Sequence, residues 1–217
     1  MGRCSFATVG KKYSVSVVSE ERPLALVFNY KGSSRMQVLV CAGPPLSGKS
    51  TVAKAFAIKK HWAYIEVDSI LSLLIPNSNR CLEHRELGYR AAHKLVGLLL
   101  EFGQNVIIDC TYSRLFYRQD LVTAVNQVKG SLYLVEFHVD RATALLRFKN
   151  RQGHPAVDLT ENRVSDLVVA YPYSNAGLSI DLSVTNVEEA IGNMSHFISA
   201  SIPLDSRLWI SSGISNS

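Results

Sequence analysis

An apolar run, Met36-Gln37-Val38-Leu39-Val40-Cys41-Ala42, leads directly into Gly43-Pro44-Pro45-Leu46-Ser47-Gly48-Lys49-Ser50-Thr51, and Val52 to Lys60 then reads as a helix. Strand, glycine-bearing loop and helix in that order leave few folds open. Residues 43 to 50 satisfy G-x-x-x-x-G-K-[ST] at every fixed position, in the context that gives the pattern its meaning. Small residues let successive backbone N–H groups curl around a polyphosphate, and the helix N-terminus adds partial positive charge. Lys49 supplies a full charge to the outer phosphates. Ser50 offers a hydroxyl to Mg²⁺. Thr51 closes the run and reads as a helix residue. The reading implies a nucleoside triphosphate, ATP, with Mg²⁺.

The same alternation continues along the chain. Ala63 to Val67 reads as a second strand, and Glu83 to Phe102 as a helix with Leu87, Ala91 and Leu95 toward the core, stopped by Gly103. Val106-Ile107-Ile108 is a third strand ending in Asp109, and Ser131 to Val139 a fourth. Helices are expected from about Tyr117 to Val128 and from Arg141 to Asn150. Leu178 to Val184 is a fifth strand, and Asn186 caps a last helix running to about Ala200. Strands that alternate with helices predict an α/β fold: a five-stranded parallel sheet covered by helices on both faces. Ser14 to Phe28 reads as an N-terminal β-hairpin, and Ser211 to Ser217 as a frayed tail.

Carboxylates at strand ends refine the chemistry, because strand C-termini in such sheets point into the ligand crevice. Asp109, after its apolar run, fits the acid that holds magnesium. Asp68, after the second strand, is placed to accept a proton from an attacking hydroxyl, or to cap a helix starting near Ser69. Arg147 and Arg151 lie four apart and share a helix face, which suits either a phosphate clamp or a solvated basic helix end.

The succession GPPLSGKST, YIEVDSI, NVIIDCTYS and LLRFKNRQG resembles the compact P-loop kinases grouped with chloramphenicol phosphotransferase, zeta toxins and polynucleotide 5′-hydroxyl kinases, over about residues 36 to 200. The resemblance implies a P-loop NTPase fold and a general base at Asp68. It also implies a small mobile lid, about residues 147 to 172, whose arginines Arg147 and Arg151 clamp the phosphates. Residues 1 to 35 are an extension outside the pattern and 201 to 217 a C-terminal tail.

The acceptor is read from residues between Asp68 and Gly103 and just beyond Asp109. Arg85 and Tyr89, four apart, form a polar stripe that lines an acceptor pocket or faces solvent. Tyr112 and Arg114 form a second lining, with Arg114 able to meet an anion. Polynucleotide kinases of the group carry an arginine a few residues after the base aspartate. Here Ser69-Ile70-Leu71-Ser72 follows Asp68, which favours a small hydroxylated molecule over nucleic acid. The readings kept beside this one are a polynucleotide 5′-hydroxyl kinase and a non-catalytic nucleotide switch, although a GTP switch would carry N-K-x-D, and the chain does not.

Composition narrows the setting. With 47% hydrophobic and 19% charged residues among 217, the chain has too much apolar material for a disordered coil. The net charge of +5 suits phosphate-bearing ligands. No run approaches the roughly 18 apolar residues of a membrane span, and the N-terminus lacks the apolar core of a signal peptide. Four scattered cysteines, with no C-x-x-C, read as thiols in a reducing compartment. A soluble cytoplasmic protein is the expectation. The histidines show no H-E-x-x-H spacing for a catalytic zinc, and no G-x-S-x-G elbow is present for a serine hydrolase.

Overall fold

Five strands and eight helices describe the chain in a computed structural model that covers residues 35–150, 159–200 and 202–215. The expected N-terminal hairpin and Arg151 lie outside these residues. In chain order the elements are β1 (Gln37–Ala42), α1 (Lys49–Lys60), β2 (Ala63–Glu66), α2 (Val67–Leu74), α3 (Leu82–Glu101), β3 (Val106–Asp109) and α4 (Leu115–Gln127), followed by β4 (Ser131–His138), α5 (Arg141–Lys149), α6 (Glu161–Val169), β5 (Leu178–Asp181), α7 (Val187–Ser199) and α8 (Ser206–Ser211). All strands are parallel, in the order β2-β3-β1-β4-β5.

The central strands β1 and β3 are apolar on both faces because both faces are covered. Val38, Val40 and Ile108 join α3, α4 and Trp209 of α8 in one core layer. Leu39, Cys41 and Ile107 point the other way, into a layer with α1 and α7. Register sets the site: Cys41 pairs with Asp109, and Glu66 also pairs with Asp109, so the ends of β1, β2 and β3 lie side by side.

Helix ends follow local chemistry. The Asn186 side chain accepts from Glu189 N–H at 2.9 Å to start α7, and Asp140 accepts from Thr143 N–H at 2.9 Å to start α5. Gly103 ends α3 with φ 72°, as its position in the sequence suggests, and the Gln104 N–H reaches back to the Leu99 carbonyl at 2.9 Å.

Three expectations are corrected. The core face of α3 is Gly88, Tyr89, Ala92, His93, Val96 and Leu100, whereas Leu87 and Leu95 are exposed and Ala91 is only half-buried. The helix carries two apolar stripes, and the outer one has the stronger periodicity. Asp68 does not close a strand and does not cap a helix: β2 ends at Glu66, α2 begins at Val67, and Asp68 lies in the first turn. The C-terminal stretch is tied down as far as Ile214. Asp205 caps α8, Trp209 is fully buried, and Ile214 exchanges backbone bonds with Ser113 (2.9 Å) and Leu115 (3.0 Å). Among the described residues no helix is long and apolar enough to cross a membrane.

Candidate active site

The loop between β1 and α1 takes the conformation its glycines permit. Gly43 has φ 155° and Gly48 φ 92°, with Leu46 between them at φ 63°. A Cβ on Gly43 would stand 2.6 Å from the Phe137 carbonyl oxygen, so the close passage of the loop over β4 admits glycine alone. Gly48 precedes α1 and makes no side-chain cap. Lys49 Nζ donates to the Pro44 carbonyl at 3.2 Å and so spans the loop. Thr51 is exposed on α1.

Arg147, expected to clamp phosphates, braces the loop from outside. Its Nη1 donates to the Leu46 and Ser47 carbonyls at 3.2 and 2.8 Å, and its Nη2 to Leu182 O at 2.7 Å. The C-terminal end of α5 thus packs against the loop, and the guanidinium is committed to three backbone oxygens.

Asp109 ends β3 almost fully buried. Tyr64 Oη donates to its Oδ2 at 2.8 Å, while its buried Oδ1 has no hydrogen-bond partner. Burial pushes this carboxyl above its usual range, against the pull of Lys49, Ser50 and Tyr64. An orphaned carboxylate oxygen near the Ser50 hydroxyl fits a hard cation such as Mg²⁺. Asp68 also lines the hollow, its side chain 36% accessible, with Oδ1 accepting from Arg80 Nη1 at 2.7 Å.

Lys49, Ser50, Asp68 and Asp109 all border one cavity of about 190 Å³. Its lining also includes Arg80, Arg85, Thr111 and Ser113, and α6 contributes Arg163 and Leu167. A model of the AAA domain family matches residues 38–171, from β1 to just past α6 and more than half of the chain. The chain belongs to this family. No curated protein matches the chain.

The fold of this AAA domain is the P-loop kinase fold. It is similar to a sugar kinase from Janibacter sp. HTCC2649, with 17% identity, a TM-score of 0.59, and 81% of this chain and 98% of that one covered. It is also similar to the Mycobacterium tuberculosis APS kinase CysC, in complex with AMPPNP and APS, at 16% identity and a TM-score of 0.62, covering 76% and 98%. A chain of the Pnkp1/Rnl/Hen1 RNA repair complex is similar at 23% identity and a TM-score of 0.55, covering 64% of this chain and 45% of that one.

Of the four acceptor residues expected from the sequence of this AAA domain, Arg85 lines the cavity. Tyr89 and Tyr112 are buried behind it. Cys110 Sγ donates to Tyr89 Oη at 2.9 Å, the Tyr112 N–H to the same oxygen at 3.3 Å, and the Tyr89 ring stacks on Tyr117 at 3.7 Å. In this setting burial, with the Asp68 charge, pushes the Cys110 thiol up to about 12, so it is an inert packing group. Tyr112, at φ 50°, lies 3.0 Å from His93 Nε2, whose Nδ1 meets the Asp120 carboxylate at 2.6 Å. Arg114 begins α4 and bridges to Ile214; Thr111, Ser113 and Ile214 form that stretch of wall.

Two residues matter more than sequence reasoning shows. Arg80 stands twelve positions from Asp68 and adopts φ 56°, and no local pattern couples the two. Arg118 is fully buried and donates to Tyr112 O (2.7 Å), Trp209 O (2.6 Å), Pro172 O (2.8 Å) and Ser212 Oγ (2.6 Å). With the Tyr171 hydroxyl donating to the Thr111 carbonyl, it fixes the loop that forms the cavity wall. An arginine inside a helix otherwise patterned as amphipathic gives no hint of such a role.

Proposed function

We propose that this AAA domain is an ATP-dependent kinase that moves the γ-phosphoryl group to a hydroxyl of a small molecule. The observation that carries the reading is the meeting of Lys49, Ser50, Asp109 and Asp68 around a single cavity. The loop from Gly43 to Ser50 holds the triphosphate, with Lys49 at its outer phosphates. Ser50 and Asp109 hold Mg²⁺, which when bound offsets the charge on the phosphate oxygens. Asp68, accessible from the cavity and held by Arg80, takes the proton of the acceptor hydroxyl. A bond forms between the acceptor oxygen and the γ-phosphorus, the bond to the β,γ-bridging oxygen breaks, and ADP leaves with that electron pair.

Arg163 and Leu167 of α6 line the cavity, and the expected lid is proposed to exclude water that would divert the phosphoryl group to hydrolysis. Arg151 is proposed to add its charge to the phosphates, and Arg147 to act through the loop it braces. A hollow of about 190 Å³ suits a small acceptor better than a polymer. Incubation with γ-labelled ATP, pooled metabolites and 5′-hydroxyl oligonucleotides tests the reading. Label on a small molecule is expected. Label on oligonucleotides would make the acceptor nucleic acid, and label only in free phosphate would make the protein a nucleotide switch.

A further inference from the structure

The two oxygens of the Asp109 carboxylate have different surroundings, and one side chain makes the difference. Tyr64 on β2 lies opposite Ile107 in the register, two positions before Asp109 on the neighbouring strand. Alternation puts Tyr64, Ile107 and Asp109 on one face of the sheet, the layer shared with α1, and Tyr64 and Ile107 pack in the same apolar cluster there. From that position the phenol reaches toward the strand ends, and its hydroxyl donates to Asp109 Oδ2 at 2.8 Å. The ring has a second restraint. Lys54 Nζ of α1 stands 5.5 Å from its centroid and 3.5 Å from Glu66 Oε2, which also accepts from Ser69 Oγ at 2.6 Å. A cation over the ring, itself engaged by a carboxylate of the same strand, holds the phenol and through it the plane of the Asp109 carboxylate.

Asp109 Oδ1, by contrast, is buried with no hydrogen-bond partner among the described residues, and Asp109 shares the cavity lining with Lys49 and Ser50. A buried acceptor in that state is costly until a donor or a cation meets it. The two common hard cations make different demands on a carboxylate. Mg²⁺ requires near-ideal octahedral geometry, whereas Ca²⁺ accepts a carboxylate through one oxygen or through both. A carboxylate with two open oxygens can turn to serve either ion. One whose Oδ2 is already bound offers a single oxygen in a single direction, which suits the smaller and stricter ion.

Resting on the reading of Asp109 as the magnesium acid, we infer that Tyr64 is a positioning residue of the cation site: its hydroxyl occupies Asp109 Oδ2 and so dedicates Oδ1 to Mg²⁺ in preference to Ca²⁺. The phenol touches no substrate and acts through the carboxylate.

The test compares the full chain with Y64F, which keeps the ring and its packing and removes the one hydroxyl. Calorimetry measures the affinity for AMPPNP with magnesium, with calcium, and with EDTA in place of either. In Y64F the magnesium complex should bind about 10- to 100-fold more weakly, the range typical when a group behind a metal ligand is lost. Affinity for metal-free AMPPNP should stay the same, which also shows that the variant is folded. The calcium complex should lose less than the magnesium complex. Unchanged affinity for magnesium-AMPPNP would overturn the inference, and so would an equal loss with and without metal, or an equal loss with the two cations.

D109N separates this inference from the reading it rests on. That substitution should weaken magnesium-AMPPNP binding, and Y64F added to D109N should change it no further, because the hydroxyl acts only through the carboxylate. Losses that multiply in the double variant would overturn the role of Tyr64 and leave Asp109 in the cation site. Magnesium-dependent tightening undiminished in D109N would remove Asp109 from that site, and Tyr64 with it. None of these readouts depends on the acceptor or on turnover.

Discussion

Arg80 Nη1 donates to Asp68 Oδ1 at 2.7 Å, joining the first turn of α2 to the loop that precedes α3. The pair fixes one carboxylate oxygen and leaves the carboxylate open to the cavity, which is the arrangement a general base needs. D68N should lower kcat by roughly 10²- to 10⁴-fold and leave ATP affinity nearly unchanged. R80M should lower kcat on the order of 10²-fold through a misplaced carboxylate, again with ATP binding intact. Steady-state kinetics beside nucleotide titrations check both, and full turnover by D68N would remove Asp68 from the mechanism.

Asp109 trades stability for its site. Burial raises its carboxyl above the ordinary 3.8, so the unfolded chain ionises it more readily than the folded one does. The resulting penalty is absent below that ordinary value and complete above the raised folded-state value. D109N should therefore raise the urea midpoint at neutral pH, with the two proteins converging in acid. Magnesium should stabilise the parent protein and leave D109N unmoved. A lower midpoint for D109N at neutral pH would contradict this account of the site.

Arg118 ties α4 to α8 and to the loops at Tyr112 and Pro172. R118M would leave the Tyr112 and Pro172 carbonyl oxygens without this donor, each worth about 1–3 kcal/mol, while the Trp209 carbonyl keeps Ser212 Oγ at 2.9 Å, so a total loss on the order of 2–5 kcal/mol is expected. Urea unfolding measures it. A change below about 1 kcal/mol would show that water or relaxation replaces these bonds.

What the sequence made legible was local. The phosphate loop reads clearly because its physics is contiguous: Gly43, Gly48, Lys49 and Ser50 all act within one turn of chain. The central strands β1 and β3 stand out because parallel strands buried on two faces are nearly unbroken apolar runs, whereas the edge strands β2 and β5 are short and mix polar with apolar residues. Helix α3 misleads because Leu87, Leu95 and Leu98 make a regular stripe on its outer side, while its core face mixes Gly88, Ala92 and Val96 with the polar-tipped Tyr89 and His93. The acceptor wall was least legible. Arg80 reaches Asp68 only through a left-handed backbone that its own residue type does not announce, and Tyr89 and Tyr112 share a helical or loop spacing with true lining residues yet point inward.

Everything in the mechanism presupposes a triphosphate held by the loop from Gly43 to Ser50, and calorimetric titration with magnesium-ATP, on the full chain and on K49A, measures that directly. Saturable heat below about 1 mM, abolished in K49A, is the result expected. Heat undiminished in K49A, or none from the folded parent protein, would contradict it.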